Sequence, residues 1–155
     1  MRPATHHVLD AVIDTFDTYL MPEIDDEYAA SLALTVSQLL RSVRVRIVAE
    51  PRALWEDNAD LANVLEGFGG RLPHPVDDAV AAALEESAAL IGPVEFPGVD
   101  LLMARADILR GALVAVIEAV PDADDPVRVE GRGYLRRQLT RQEPWLVDAW
   151  TGPRR

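Results

Sequence analysis

The stretch from residue 25 to residue 50 constrains the fold most, because it is long, helical in pattern and uninterrupted. Apolar residues recur in it every three or four positions, as along one face of an α-helix: Tyr28, Leu32, Val36, Leu39, Val43 and Ile47. Asp25 or Asp26 can cap its start, and Pro51 is the first helix breaker after it. Because other apolar residues lie off this stripe, we expect the helix at the centre of the fold, with neighbours on several sides.

Three further segments have helical patterns that prolines or glycines bound. They cover roughly residues 5–20, 51–67 and 76–90. A fourth, residues 99–120, is the most apolar after residues 25–50, and we expect these two helices at the centre. The sequence predicts an all-α, single-domain antiparallel bundle of five or six helices in residues 1–142. Whether residues 126–142 form one helix stays open, because Gly131 and Gly133 weaken it.

Charge and composition exclude several classes of protein. The net charge is −11, which argues against general binding to nucleic acids or anionic membranes. The chain has no cysteine, so disulfides, thiolate metal sites and cysteine nucleophiles are excluded. The longest apolar run, residues 112–117, is too short to cross a bilayer, and the amino terminus lacks the apolar core of a secretory signal. We therefore expect a cytoplasmic protein. All fifteen basic residues are arginine, which we interpret as a bacterial coding bias.

The charge is unevenly distributed along the chain. Residues 126–155 hold seven arginines and three acids, a net charge of +4, which leaves −15 for the first 125 residues. Arg136 and Arg137 belong to like-charge pairs at helical spacing, which disfavour an isolated helix. We expect acids of the same chain to offset them, and capture of an anionic ligand is the alternative. Both arginines are candidate interface residues.

The last segment, residues 143–155, is predicted to be a docking tail. It carries Trp145, Leu146 and Trp150 in a short apolar stripe. Because two tryptophans are costly to leave in water, we expect this tail to bury itself, by hypothesis against a second copy of the chain.

Residues 51–67 and 99–120 carry the candidates for a ligand site. Asn58 lies on an apolar stripe with Trp55 beside it, and a buried amide needs hydrogen-bond partners. Arg105 lies on the core side of its helix, where a guanidinium either needs a partner or extends its head to the edge. A group of acids, Glu56, Asp57 and Asp60, shares one flank; a solvated helix face is the ordinary interpretation, and acid–base chemistry or cation binding the alternative.

Metal and phosphate chemistry have weaker support. His6, His7 and His74 could form a metal site only if the fold brought them together, and they lack the Glu-x-x-His or His-x-x-x-His spacing of helical metal sites. The segment at residues 67–71 matches no phosphate-binding loop. We therefore assign no metal, cofactor or catalytic residue.

The opening of the chain resembles a known family. Arg2-Pro3 leads into an amphipathic helix, a break at Leu20-Met21-Pro22 and a long second helix. Over about the first fifty residues this is similar to a family of small, functionally uncharacterised bacterial proteins encoded near phosphotransferase-like and acyl-CoA dehydrogenase-like genes. The resemblance implies a helical accessory protein and assigns no chemistry to any residue.

These patterns favour a non-enzymatic accessory or protein-interaction bundle that self-associates as a homodimer or binds another protein. The first alternative is a small-molecule binder with an apolar pocket between helices, fitted with Asn58, Trp55 and Arg105. The second alternative is a metal-dependent or hydrolytic enzyme.

Overall fold

The computed structural model describes residues 4–92 and 96–143, and every regular element in these ranges is helical. The five α-helices are α1 (Thr5–Thr15), α2 (Glu27–Gly67), α3 (His74–Ile91), α4 (Val99–Ala119) and α5 (Pro126–Gln142). The prediction of an all-α helical bundle with five or six helices is confirmed.

The break between the first two helices forms where the sequence predicts it. A π-helical turn, Phe16–Leu20, and a 3-10 turn, Met21–Glu23, follow α1. Asp26 caps α2, because its Oδ2 accepts a hydrogen bond of 2.7 Å from the N–H of Ala29. Of the two predicted capping residues, Asp25 and Asp26, it is Asp26 that caps the helix.

Pro51 lies inside α2, so the prediction that it ends one helix and opens another is wrong. Proline has a φ compatible with a helix, and its missing N–H removes one hydrogen bond, here the bond to the carbonyl of Ile47. In a helix interior this costs about 3 kcal/mol relative to alanine. Well-formed helical turns on both sides outweigh that local cost, and α2 reaches 41 residues.

The described residues form two compact units that divide at Pro51. The first unit contains α1, the turns after it and the part of α2 up to Glu50. The second unit is Pro51–Gln142, which comprises the rest of α2 together with α3, α4 and α5.

The second unit holds a continuous hydrophobic core to which all four of its helical segments contribute. The core members from α2, α3, α4 and α5 include Leu65, Val80, Leu109 and Tyr134, all at most 3% exposed. α4 is central to this unit, as expected, because Leu102, Ala106, Leu109 and Val116 are buried along its length.

Residues 126–142 form the single helix α5 in spite of two glycines. Gly131 is buried against α4, where a Cβ would lie 3.7 Å from Cδ1 of Leu113. The turn after α2 is different, because Gly70 has a φ of 73°, a left-handed conformation that glycine adopts without strain.

The first unit is much less buried. Among the described residues before Pro51, Ile13 and Ala33 are the only buried hydrophobic ones. Within this unit the expectation that residues 25–50 are surrounded on several sides is therefore wrong. The π-helical turn after α1 contacts one side of the helix at Ser37, while the apolar stripe that begins at Tyr28 stays exposed.

Candidate functional site

The first part of α2 carries an apolar face with no partner in the described chain. We define the α2 seam as Leu32, Val36, Leu39 and Val43, whose residues are 50%, 44%, 60% and 45% exposed. Their spacing of four, three and four is the a/d pattern of a coiled coil. Tyr28 and Ile47 extend the seam at either end and are also exposed. A side chain at such a position normally fits between side chains of a facing helix.

α1 and the π-helical turn after it contact a different side of α2, and charged side chains stabilise that contact. Asp17 accepts a hydrogen bond of 2.6 Å from Ser37 Oγ and forms an ion pair with Arg41. Asp10 accepts a bond of 2.9 Å from Arg44 Nε, and the guanidinium lowers the pKa of that carboxyl. Asp17 and Asp10 thus neutralise Arg41 and Arg44 of α2. They leave the α2 seam free to face outward.

Neutral residues flank the α2 seam. The positions beside it that correspond to the e and g positions of a coiled coil are Ala33, Thr35, Leu40 and Ser42, none of which is charged. Charges at these positions normally determine which helices pair. A chain with a net charge of −11 therefore presents an apolar strip that carries no repulsive charge along its edges.

A cluster of carboxylates and arginines connects α2 to α5 in the second unit. We define the acid–arginine cluster as Asp57 and Asp60 of α2 with Tyr134, Gln138, Arg137 and Arg141 of α5. Asp57 is 5% exposed and accepts bonds from Tyr134 Oη (3.0 Å), Gln138 Nε2 (2.8 Å) and Arg141 Nη1 (2.7 Å). Asp60 binds Arg137 with bonds of 2.7 and 3.0 Å and also contacts Arg141.

The pairings of the cluster also show how α5 runs. Asp57 contacts Arg141, Asp60 contacts Arg137, and Arg71 beyond the end of α2 contacts Glu130 at 2.8 Å. Along these three contacts the residue numbers increase in α2 and the turn after it, while those of their partners in α5 decrease. The second part of α2 and α5 are therefore antiparallel neighbours.

Burial and charge shift the pKa values of this cluster in opposite directions. Hydrogen bonds from Arg137 and then Arg141 hold the pKa of Asp60 below its ordinary value. Burial raises the pKa of Tyr134 well above its ordinary value, and the negative charge of Asp57 raises it further. The tyrosine therefore stays neutral and donates a hydrogen bond to the buried carboxylate.

Acids of the same chain offset one of the predicted arginine pairs, since Arg137 and Arg141 bind Asp57 and Asp60. The interpretation of these acids as a solvated flank is wrong for Asp57, which is buried. Arg136 is exposed, and its carbonyl accepts a bond from Thr140. Arg137, the other candidate interface residue, already forms an ion pair with Asp60 of the same chain. Trp145, Leu146 and Trp150 lie outside the described residues.

The three candidate ligand residues lie on α2 and α4 of the second unit. Asn58 is 1% exposed, and its Nδ2 donates a bond of 2.8 Å to the carbonyl of Leu102. Trp55 lies one turn before it on α2, with its ring centroid 5.6 Å from that of Phe96. Arg105 lies one turn after Leu102 on α4. Two atoms there, Asn58 Oδ1 and Arg105 Nε, are buried and have no hydrogen-bond partner among the described residues.

The histidines do not form a metal site within the described ranges. His6 and His7 are neighbours with ring centroids 4.2 Å apart. On α3, the Nδ1 atom of His74 lies 3.0 Å from Oδ2 of Asp78. In residues 4–92 and 96–143 no group of three or more potential ligands is close enough to hold a metal ion. No helix in the same ranges is both long enough and apolar enough to span a membrane.

Two concave regions lie away from the candidate ligand residues. One is an open cleft of about 380 Å³ in the first unit, between the turns after α1 and the start of α2, lined by Asp17, Met21, Ile24 and Leu34 among others. The other is a smaller space of about 110 Å³ between α4 and α5, bordered by Leu113, Arg128 and Arg132. Neither contains Trp55, Asn58 or Arg105.

Comparisons of the chain with protein-family models, with curated proteins and with solved structures find no match. The resemblance of the first fifty residues to a bacterial accessory family stays a prediction.

The sequence analysis did not predict two well-defined features of the described residues, the acid–arginine cluster and the exposed α2 seam. It placed Tyr134 in an uncertain region, although the spacing Tyr134, Gln138 and Arg141 puts one polar face of a helix opposite Asp57. It also treated the stripe of residues 28–47 as core. The structure shows this stripe to be exposed, and its a/d spacing with neutral flanks was the signal available in the sequence.

Proposed function

We propose that the chain is a non-enzymatic helical interaction protein that self-associates through the α2 seam. The observation that carries this proposal is the exposure of four residues at a/d spacing on one helix. Monomeric proteins rarely expose a contiguous apolar strip of this kind, and such strips mark association surfaces.

A second copy of the chain is the occupant that fits best. In a twofold dimer the same strip contacts itself, so that each exposed side chain meets an apolar one. The neutral residues along the seam remove the repulsion that two acidic chains would otherwise meet there. The arginines nearest the seam on the α1 side, Arg41 and Arg44, are already paired with Asp17 and Asp10.

The size of the seam sets the expected strength of association. Full burial of one such side chain is worth about 1.5–3 kcal/mol, and the seam with Tyr28 and Ile47 is already about half buried. Two copies would therefore gain about 9–18 kcal/mol. The loss of translational and rotational freedom costs about 4–15 kcal/mol. The surplus is a few kcal/mol, so we expect a dimer that dissociates on dilution.

Sedimentation equilibrium over a range of concentrations tests the proposal. The wild-type chain is expected to pass from monomer to dimer. Leu39→Glu, at the middle of the seam and 60% exposed, is expected to stay monomeric because dimerisation would bury two unpaired charges. Val48→Glu is the matched control, since it adds the same charge to the same helix at a residue 56% exposed and off the seam.

A wild-type chain that is monomeric throughout, or a Leu39→Glu variant that dimerises as the control does, would refute the proposal. A monomeric wild type that Leu39→Glu destabilises more than Val48→Glu would assign the seam to a segment of the same chain, such as residues 144–155. Deletion of residues 143–155 separately tests the hypothesis that the tail contributes to the dimer.

A further inference from the structure

The space of about 110 Å³ between α4 and α5 has an apolar interior and an accessible side. Leu113, Val116 and Val127 line it, and each of them is at most 4% exposed. On the side of Leu135, which is 38% exposed, the space reaches solvent. An apolar cavity of about 150 Å³ in a protein holds one benzene molecule. The space in this chain therefore suits an apolar group of about three or four carbons.

A glycine in the middle of α5 leaves this space open. Gly131 lines the space and is buried, and a glycine inside a helix lowers its stability relative to alanine. The backbone does not require glycine there, because only Gly70 and Gly92 among the described glycines have a positive φ. Packing does not require it either, since an added Cβ would lie 3.7 Å from Cδ1 of Leu113, an ordinary contact distance. What the missing methyl group provides is room between the two helices.

Two arginines of α5 border the space one helical turn apart. Arg128 is half-buried, and its Nη1 donates a hydrogen bond of 2.8 Å to the carbonyl of Ile117, which holds the guanidinium beside the space. Arg132 is exposed, and its side chain has no hydrogen bond or ion pair within residues 4–92 and 96–143. Side chains four residues apart on a helix are neighbours, so both guanidinium groups can contact one anion.

The positive charge beside the space is not neutralised by the described residues. Arg128, Arg132 and Arg136 follow one another at intervals of four, a spacing at which like charges destabilise a helix. Glu130 is the only acid in α5, and it pairs with Arg71. In the described ranges none of the three arginines forms an ion pair. An anion bound between Arg128 and Arg132 would offset this repulsion.

We propose that the space between α4 and α5 is a binding site for a small aliphatic carboxylate. The carboxylate binds Arg128 and Arg132, because guanidinium groups form strong charge-assisted hydrogen bonds with carboxylates. A tail of about three or four carbons enters the space and contacts Leu113 and Val116. Apolar walls with a few polar groups that converge on one ligand group are typical of small-molecule sites. This site lies within the second unit and does not depend on self-association through the α2 seam.

Titration of the full chain with isovalerate tests the proposal, with NMR of isotope-labelled leucine and valine methyl groups as the measurement. We expect saturable shifts of the Leu113 and Val116 methyl signals, and NOEs between these groups and the methyl groups of the ligand. Acetate keeps the carboxylate without the tail, and isoamyl alcohol keeps the tail without the charge. At constant ionic strength each is expected to bind about tenfold or more weakly than isovalerate.

Gly131→Ala tests the role of the space, because it adds a methyl group where the tail would bind. We expect a higher urea midpoint, since alanine favours a helix, and isovalerate binding weaker by about tenfold or more. Gly111→Ala on α4 is the matched control, because the residue is exposed and its Cβ would meet nothing within 4 Å. It is expected to raise the midpoint and to leave the affinity unchanged. Stability that rises while binding falls separates loss of the site from loss of the fold.

Arg132→Gln tests the role of the charge. It is expected to weaken isovalerate binding by about tenfold or more, the usual effect of losing one charge-assisted hydrogen bond. Arg136→Gln is the matched control, because it removes the same charge from the next turn of α5 at an exposed residue that does not line the space. We expect it to change the affinity by less than about twofold, since an exposed charge at that distance is screened by solvent.

Any of four results would overturn the proposal. These are no saturable shift with isovalerate, an affinity for acetate or isoamyl alcohol equal to that for isovalerate, equal binding by Gly131→Ala and Gly111→Ala, and equal binding by Arg132→Gln and Arg136→Gln. The first and third would assign the space to imperfect packing of α4 against α5. The other two would show nonspecific binding of anions or of apolar molecules.

Discussion

Replacing Asp57 with alanine measures how strongly the acid–arginine cluster joins α5 to α2. The change removes a carboxylate that accepts three hydrogen bonds from α5, and it leaves the O–H donor of Tyr134, a residue with 0% exposure, without its acceptor. An orphaned buried hydroxyl costs about 1–3 kcal/mol. Arg141 keeps its contact with Asp60, so its charge is not stranded. We expect a total loss of about 3–4 kcal/mol, within the range for breaking a buried pair.

Urea unfolding followed by circular dichroism is the assay. With a slope of about 2 kcal/mol per molar urea, the loss corresponds to a midpoint lower by about 1.5–2 M. Glu56→Ala is the matched control on the preceding residue: its partner Arg52 is 85% exposed, so it is expected to cost about 0.5 kcal/mol or less.

The double variant Asp57→Ala/Tyr134→Phe sharpens the test. Because it removes the stranded hydroxyl together with its acceptor, it is expected to be more stable than the sum of the two single losses by about 1 kcal/mol or more. Equal, small losses for Asp57→Ala and Glu56→Ala, or strict additivity in the double variant, would refute the reasoning.

Two further predictions concern pH and the long helix. Because the pKa of Tyr134 is raised in the folded chain, its contribution to stability is complete below the ordinary tyrosine pKa of 10.0 and is lost as the pH rises above it. Tyr134→Phe is therefore expected to flatten the fall in urea midpoint between about pH 9 and pH 11, whereas Tyr28→Phe, at a residue 74% exposed, is expected to leave it unchanged; equal slopes in both variants would contradict this. Pro51→Ala is expected to raise the free energy of unfolding by about 1–3 kcal/mol, because it restores the hydrogen bond to the Ile47 carbonyl. Pro75→Ala, in the first turn of α3 where an N–H is not needed, is expected to change it by less than about 1 kcal/mol; a loss of stability in Pro51→Ala would show that the proline is required where it lies.

Local patterns were sufficient to predict most of the helices. Apolar periodicity places α4 correctly. Gly92 marks the end of α3 correctly, because its φ of 54° stops a helix. The same rules failed at Pro51, where the cost of one missing hydrogen bond was smaller than the gain from the turns around it. Single-residue breakers are therefore weaker predictors inside long, well-formed helices than at helix ends.

Which apolar surface is core could not be read from one helix. The stripe of residues 28–47 and the stripe of α4 have similar spacing, yet Leu39 is 60% exposed and Leu109 is 0% exposed. Apolar periodicity shows that one face of a helix tends to be buried, but it does not show which segment buries it. That depends on which other helices are long enough and close enough to cover the face. α1 is 11 residues long. Together with the π-helical turn after it, α1 contacts α2 through Ser37, Arg41 and Arg44, on a different side from the seam.

Each of the two units pairs arginines with its own acids, and this limits which surfaces can bind a partner. The second unit uses Arg137 and Arg141 to neutralise its own buried acids, so these arginines are not available to an outside polyanion. The first unit pairs Arg41 with Asp17 and Arg44 with Asp10 and leaves its exposed stripe apolar and neutral. Since the acidic remainder of the chain repels other acidic surfaces, a dimer formed through the neutral strip would meet the least electrostatic repulsion. We therefore expect the stability of the proposed dimer to depend little on salt, whereas a dimer formed by the arginines of α5 would weaken as salt increases. Sedimentation at low and high ionic strength distinguishes the two interfaces.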